Sequence, residues 1–259
     1  MSGESMSATE RQLLLWRGPD HAEPNAITWE QRRWPGFVAQ AAISLGRAIP
    51  FGESTNEDGL LLVAPLATAP ALLAVADGHY GPEAANVAID AVARVLGRRQ
   101  WTDVAPYALS AALEEAVRAA GERVLREAEG SETTLLVALL AEATLHWASV
   151  GDSYLYHFAP GSPPRVVNGR DHRWLGAVRN KGPMLLATAG SLSLEKGESV
   201  LLATDGLPEP ARGGPHLAPE QVEALLIGGR ERALEALVRA ALERGGEDSI
   251  AAILVSHEA

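Results

Sequence analysis

Two apolar runs end abruptly in the same dipeptide: Leu72-Leu73-Ala74-Val75-Ala76 runs into Asp77-Gly78-His79, and Leu201-Leu202-Ala203-Thr204 runs into Asp205-Gly206. Each run has the length and composition of a buried strand. A carboxylate at the tip of such a strand is costly unless it is hydrogen-bonded, paired or bound to a cation. The same device placed twice, far apart in the chain, points to a fold that gathers strand ends at one edge and uses them to hold cations.

The rest of the chain supplies the layers around those strands. Phe37 to Ser44, Leu60 to Pro65 and Ala71 to Ala76 read as strands, separated by a Gly/Pro/Ser/Asn-rich loop from Gly46 to Asp58. Pro82 suits a helix start, and a helix is expected from Glu83 to about Leu96. Val104 to Glu129 is a second helical segment, with Leu109, Leu113, Val117, Ala120 and Val124 on one stripe and Gly130 as its stop. Strands return at Thr134 to Leu140, Thr144 to Val150, Tyr154 to Phe158, Val166 to Val167, Met184 to Ala189 and Ser199 to Ala203. Helices near Pro219 to Leu226 and Glu231 to Arg244 follow, the second with Leu234, Val238 and Leu242 facing inward, and Ile250 to Ser256 is a last strand. Hairpin-like spacing of the strands, with the helices in two separate groups, predicts an α+β layered domain with antiparallel sheets. Residues 1–35 carry no clear period and read as an N-terminal extension to a single domain over residues 36–259.

Bulk properties exclude several functions. The chain of 259 residues has a formal net charge of −11, which disfavours nucleic acid or an anionic membrane as its main partner. It contains no cysteine, so disulfides, thiolate metal sites and cysteine nucleophiles are absent. No apolar stretch approaches a membrane span and the N-terminus has no signal-peptide core, so a cytoplasmic protein is expected. Ser153 lacks the Gly-x-Ser-x-Gly context of a hydrolase nucleophile, and the histidines His146, His157, His172 and His216 have no metal-ligand spacing. Trp147 reads as core, and Trp29, Trp34 and Trp174 as packing or surface residues.

Five carboxylates flank strand-like runs: Asp58, Asp77, Asp152, Asp205 and Asp248. Taken singly, each is an ordinary turn residue. Together, an oxygen-only set suits Mg²⁺ or Mn²⁺, and two such ions can activate a water for attack on phosphorus without a nucleophilic side chain.

Six segments occur in one order: Asn56-Glu57-Asp58, Val75-Ala76-Asp77-Gly78-His79-Tyr80-Gly81, Glu132-Thr133-Thr134, Ser149-Val150-Gly151-Asp152-Ser153, Leu202-Ala203-Thr204-Asp205-Gly206-Leu207 and Glu247-Asp248-Ser249-Ile250. In these the sequence resembles the metal-dependent Ser/Thr protein phosphatases (the PPM, or type 2C, family) over about Phe37 to Val255. The resemblance implies a four-layer αββα sandwich with two central antiparallel β-sheets and a dinuclear Mn²⁺ or Mg²⁺ site at one edge. It implies that Asp77 bridges the two ions, that the Gly78 carbonyl completes one shell, and that Asp205 and Asp248 hold the first ion. Asp58 would support the second ion through water, and Asp152 matches a position that binds a third ion in some members. His79 matches the general acid to the leaving serine or threonine oxygen. The implied partner is a phosphorylated protein within a cognate Ser/Thr kinase system.

The sequence also departs from that pattern. The family's phosphate-gripping arginine has no counterpart in the residues just before Asp58; Arg47 is the nearest, across an insertion, with Arg32 and Arg33 further away. Glu132 replaces a small residue, Ser249 replaces an asparagine, and the segment from Arg173 to Leu185, where the family has a substrate-facing flap, is short. Two rival readings follow: a catalytically weak phosphatase-like regulatory or binding module, and a phosphatase of a small molecule or a dedicated signalling partner.

Overall fold

Successive residues of each central strand enter two different cores, which is why the strand sequences are almost continuously apolar. A computed structural model of the chain describes residues 13–47, 55–65, 69–101, 105–177, 187–209 and 217–258. One six-stranded antiparallel sheet has the order β1 (Leu13–Arg17), β4 (Gly59–Val63), β5 (Ala71–Ala76), β8 (Leu135–Ala141), β9 (Thr144–Val150) and β12 (Thr188–Ser193). The other has the order β11 (Arg165–Val166), β10 (Tyr154–Phe158), β13 (Ser199–Ala203), β14 (Ile250–His257), β3 (Phe37–Ser44) and β2 (Thr28–Trp34). A two-stranded ribbon pairs β6 (Gly78–His79) with β7 (Glu132–Thr133).

Leu60, Leu62, Leu73 and Val75 of the first sheet meet Ile43, Leu202, Ile253 and Val255 of the second in the central core. Their neighbours Leu61, Leu72 and Ala74 face the opposite way, onto α1 (Glu83–Val95) and α2 (Pro106–Glu127). On the far side, Leu201, Ala203, Ala252 and Leu254 pack on Leu234, Leu237, Val238 and Ala241 of α4 (Ala233–Glu243), which lies beside α3 (Pro219–Gly229). A period of two with both faces buried yields runs such as Leu-Leu-Ala-Val-Ala. The result is the four-layer αββα sandwich expected from the sequence. No described helix is long and apolar enough to cross a membrane.

Two expectations change. Residues 13–34 are not an irregular extension: β1 pairs with β4, β2 pairs with β3, and the 3₁₀ turn Gly18–His21 links them. Each is an edge strand whose residues are mostly half-buried, so its sequence lacks the apolar signal of the central strands. The strand expected over Met184 to Ala189 instead runs from Thr188 to Ser193, an exposed edge; 178–186 lie outside the described residues.

Register then sets the position of the acidic residues. Strands β5 and β13 end at Ala76 and Ala203, and β4 and β14 begin just after Asp58 and Asp248. In an antiparallel sheet a strand's end lies beside its neighbour's start, as the pairs Ala76 with Gly59 and Ala203 with Ala252 show. The carboxylates of both sheets are thereby delivered to one edge of the sandwich.

Candidate metal centre

The backbone of Asp77 is fully occupied. Its N–H donates to the Thr134 hydroxyl (2.9 Å), and its carbonyl accepts from the Thr134 N–H (2.9 Å) and the Thr133 hydroxyl (2.8 Å). Two consecutive threonines, the last residue of β7 and the one after it, thus fix the strand end and leave the carboxylate as the group that still needs a partner. The side chain is only 7% exposed and contacts the Asp205 carboxylate.

The glycines of the two Asp-Gly motifs permit close approach between motifs. A Cβ at Gly78 would collide with the Glu57 carbonyl oxygen, and one at Gly206 would collide with the Ser249 carbonyl oxygen and press on Asp248. Each Asp-Gly tip therefore sits directly against the loop that carries a further acidic residue.

Asp58 is almost wholly buried, and its carboxylate accepts a 2.7 Å hydrogen bond from the Thr204 hydroxyl. Its N–H donates to Asn56 Oδ1 (3.1 Å), and its carbonyl accepts from the Gly18 N–H (2.8 Å). Asp248 is exposed and accepts from the Ser249 N–H through Oδ1 (2.9 Å). Asp152 presents Oδ1 to the site, buried and with no hydrogen-bond partner. Oxygen atoms of Asp77, Asp152 and Asp205 all lie within 4.8 Å of one another.

The electrostatics are those of carboxylates crowded together out of water. Burial, then the charges of Asp248, Asp205 and Glu57, push the Asp58 carboxyl well above the usual range, against the lowering effect of its Thr204 hydrogen bond. Burial, then Asp58, Asp205 and Asp248, do the same to Asp77. Asp205 is raised to about 6 by burial and then by Asp248 and Asp152. The neighbouring charges that act most on these three carboxyls are all negative, so the cluster is electrostatically incomplete without a cation. Closely spaced oxygen donors, including a buried and unpartnered one, fit a hard divalent ion.

His79 borders this cluster. It pairs with Glu132 across the β6–β7 ribbon, and its Nδ1 lies 3.7 Å from Asp77 Oδ1. The ring packs against the Trp174 indole with centroids 5.0 Å apart. The next residue, Tyr80, is exposed and left-handed (φ 64°), held between the His79 and Gly81 carbonyls, both of which accept from the Ser131 hydroxyl. A bulky residue in that region is strained.

The structure places the other expected residue, Arg47, at the turn before Asp248. It is exposed, its N–H donates to the Gly246 carbonyl (2.8 Å), and its guanidinium lies near Gly245. Most of the short flap segment falls at 178–186, outside the described residues. Arg170 was not anticipated: its Nε donates to the Asp152 carbonyl (2.6 Å), its Nη2 to Glu209 (2.9 Å), and its guanidinium stacks on Tyr154. Thr204, Thr133 and Thr134 lie inside the acidic motifs, but no local pattern signals the hydrogen bonds they make. Of the expected metal residues, Asp58, Gly78 and Asp248 are brought to the rim of the Asp77, Asp152 and Asp205 cluster.

No family model and no curated protein matches this sequence. Solved structures do. The Mycobacterium tuberculosis serine/threonine phosphatase PstP/Ppp is 25% identical, with 90% of this chain and 99% of that one covered and a TM-score of 0.64. The catalytic domain of PstP in complex with two manganese ions is also 25% identical, over 90% of this chain and 100% of that one, with a TM-score of 0.63. The S. agalactiae serine/threonine phosphatase shares the fold at 16% identity, with 90% and 100% coverage and a TM-score of 0.66. The solved structures that this chain is similar to, over most of its length, are thus bacterial serine/threonine phosphatases of the PPM type, one of them bound to two manganese ions.

Proposed function

We propose that the protein is a Mn²⁺- or Mg²⁺-dependent phosphatase that hydrolyses phosphoserine and phosphothreonine in protein substrates. The observation that carries this reading is the meeting of buried Asp77 with half-buried Asp152 and Asp205 within 4.8 Å, where the charges acting on Asp77 and Asp205 are negative. Its likeness to the manganese-bound PstP domain supports the same cofactor here.

Asp77 would bridge two ions, with the Gly78 carbonyl, Asp205 and Asp248 completing one site, Asp58 supporting the other and Asp152 serving a third. Divalent ions at such a site supply Lewis acidity, which lowers the pKa of a water and offsets charge on the phosphoryl oxygens. The chain's own part is to hold those carboxylates at fixed spacing: Thr133 and Thr134 fix the Asp77 backbone, and the Thr204 hydroxyl bonds the Asp58 carboxylate. His79, beside Asp77 and partly open to solvent, would give its proton to the departing serine or threonine oxygen. Arg47, at the turn before Asp248, remains the proposed contact to the substrate phosphate. A phosphoprotein made by a cognate Ser/Thr kinase is the matching substrate.

A silent binding module is less well supported, because every carboxylate the chemistry requires is present. The test is Mn²⁺-stimulated release of phosphate from p-nitrophenyl phosphate and from a phosphoserine peptide. Excess chelator, Asp77→Asn and Asp205→Asn should each abolish it. Undiminished turnover in chelator, or in both variants, overturns the proposal.

A further inference from the structure

Trp174 stands at the middle of an aromatic arc that follows the rim of the site. Its indole is 5.0 Å from the His79 ring, tilted by 38°, and 6.1 Å from the His172 ring, tilted by 52°. Each histidine faces a different carboxylate of the cluster: His79 Nδ1 lies 3.7 Å from Asp77 Oδ1, and His172 Nδ1 lies 3.5 Å from Asp152 Oδ2.

The backbone that carries the indole is anchored to the same elements that hold Asp77. Leu175 exchanges two hydrogen bonds with Thr133 (3.0 and 2.8 Å), and the Thr133 hydroxyl in turn bonds the Asp77 carbonyl. Gly176 is left-handed (φ +90°), and a Cβ there would lie 2.7 Å from the Ser131 carbonyl oxygen, so the segment is drawn close against the strand that faces His79. On the other side of Trp174, the Asp171 N–H donates to the Gly151 carbonyl (3.0 Å), next to Asp152.

His79 needs such a support. Its Nδ1 is buried with no hydrogen-bond partner, so no bond at that nitrogen sets the ring plane. A histidine that transfers a proton is ordinarily oriented by a hydrogen bond to its second nitrogen. Here the indole packs against the ring instead. Proton transfer requires the donor within a narrow range of distance and angle, and small misplacement is expensive in rate.

We propose that Trp174 is a positioning residue for His79, fixing the imidazole so that its N–H meets the leaving oxygen of the phosphoester. In that step the water oxygen forms a new bond to phosphorus while the bond from phosphorus to the leaving oxygen breaks. The leaving oxygen keeps the electron pair and takes the proton from His79, and the proton lost by the attacking water passes to solvent. The inference rests on the hydrolytic reading above and on His79 as its acid.

The test compares two substrates of similar size, phenyl phosphate and p-nitrophenyl phosphate, with Mn²⁺, in the full-length wild type, Trp174→Ala, Trp174→Phe and His79→Gln. The nitrophenolate departs readily without a proton, whereas the more basic phenolate needs one. The quantity read is the ratio of kcat/KM for the phenyl ester to that for the nitrophenyl ester within each preparation, which does not depend on the fraction folded. Trp174→Ala should lower this ratio by about tenfold, in the same direction as His79→Gln, and Trp174→Phe should restore most of it. If His79→Gln lowers the ratio and Trp174→Ala does not, the role of Trp174 is refuted while the acid assignment stands. If His79→Gln leaves the ratio unchanged, both fall. If the wild type hydrolyses neither ester, the hydrolytic reading fails and takes this inference with it.

Discussion

The Thr204 hydroxyl donates a 2.7 Å hydrogen bond to the carboxylate of Asp58, a residue 146 positions earlier in the chain. The same hydroxyl oxygen accepts the Ala251 N–H at 2.9 Å. One side chain therefore ties the end of β13 and the start of β14, in one sheet, to the residue that opens β4 in the other. It also supplies the hydrogen bond that makes a buried carboxylate tolerable before any cation arrives.

Removing that hydroxyl strands two buried polar groups at once. Thr204→Val should destabilise the protein by roughly 1–3 kcal/mol, and Thr204→Ser should recover most of the loss. Urea unfolding of the metal-free protein reads the first effect. Titration calorimetry with Mn²⁺ should show weaker binding for the valine variant, because Asp58 loses its orienting partner. A valine variant as stable as the wild type would refute the role assigned to this contact.

Asp77→Asn should have opposite effects on the two forms of the protein. Asp77 is raised by burial and by three negative neighbours, so the charge is a liability without metal. Asparagine removes it and can donate to Asp205, stabilising the metal-free fold by about 1 kcal/mol. The same change should abolish the rise in Tm that Mn²⁺ gives the wild type. Thermal melts with and without Mn²⁺ check both signs, and an asparagine variant still stabilised by Mn²⁺ would contradict the bridging role.

The stability conferred by metal should depend on pH in a defined direction. Asp205 titrates at about 6 in the folded protein, and Asp58 and Asp77 are also raised. In the unfolded chain such carboxyls titrate near ~3.9, so between the two values the folded state holds the extra protons. Their contribution to metal-free stability is full below the unfolded value and is lost as pH rises through the folded one. Metal binds the deprotonated form and must displace those protons in acid. The Mn²⁺-induced rise in Tm should therefore be larger at about pH 7.5 than at about pH 5.5. Equal shifts at both would place the metal away from these carboxyls.

Gly206→Ala tests the close approach that brings Asp205 beside Asp248. The added Cβ would run into the Ser249 carbonyl oxygen, a backbone atom that cannot swing aside. A cost of about 1–3 kcal/mol in stability is expected, with a loss of Mn²⁺ affinity beyond it. An unaffected Mn²⁺ affinity in Gly206→Ala would separate the loop approach from the metal centre.

Legibility in the sequence followed burial. The strand Ala71–Ala76 and the helix from Glu83 were read closely, because both faces of the strand and one stripe of the helix are packed. The edge strands Thr28–Trp34 and Thr188–Ser193 were missed or displaced, because an edge half in water carries no period. Among site residues, Asp77 and Asp205 stood out as charges at the ends of apolar runs. Thr204, Arg170 and Trp174 did not, since a hydroxyl, a guanidinium and an indole are ordinary in turns and loops.

The chain alone determined the central strands, that two of them end in carboxylates, and that an oxygen-donor cation site is the economical use of those ends. Local hydrophobic patterning and the cost of a buried charge are written into neighbouring residues. Tertiary structure decided which carboxylates meet, that Thr204 holds Asp58, and that Trp174 packs on His79. These pairings join residues far apart in sequence, and only sheet register and the stacking of the two sheets bring them within a few ångströms of each other.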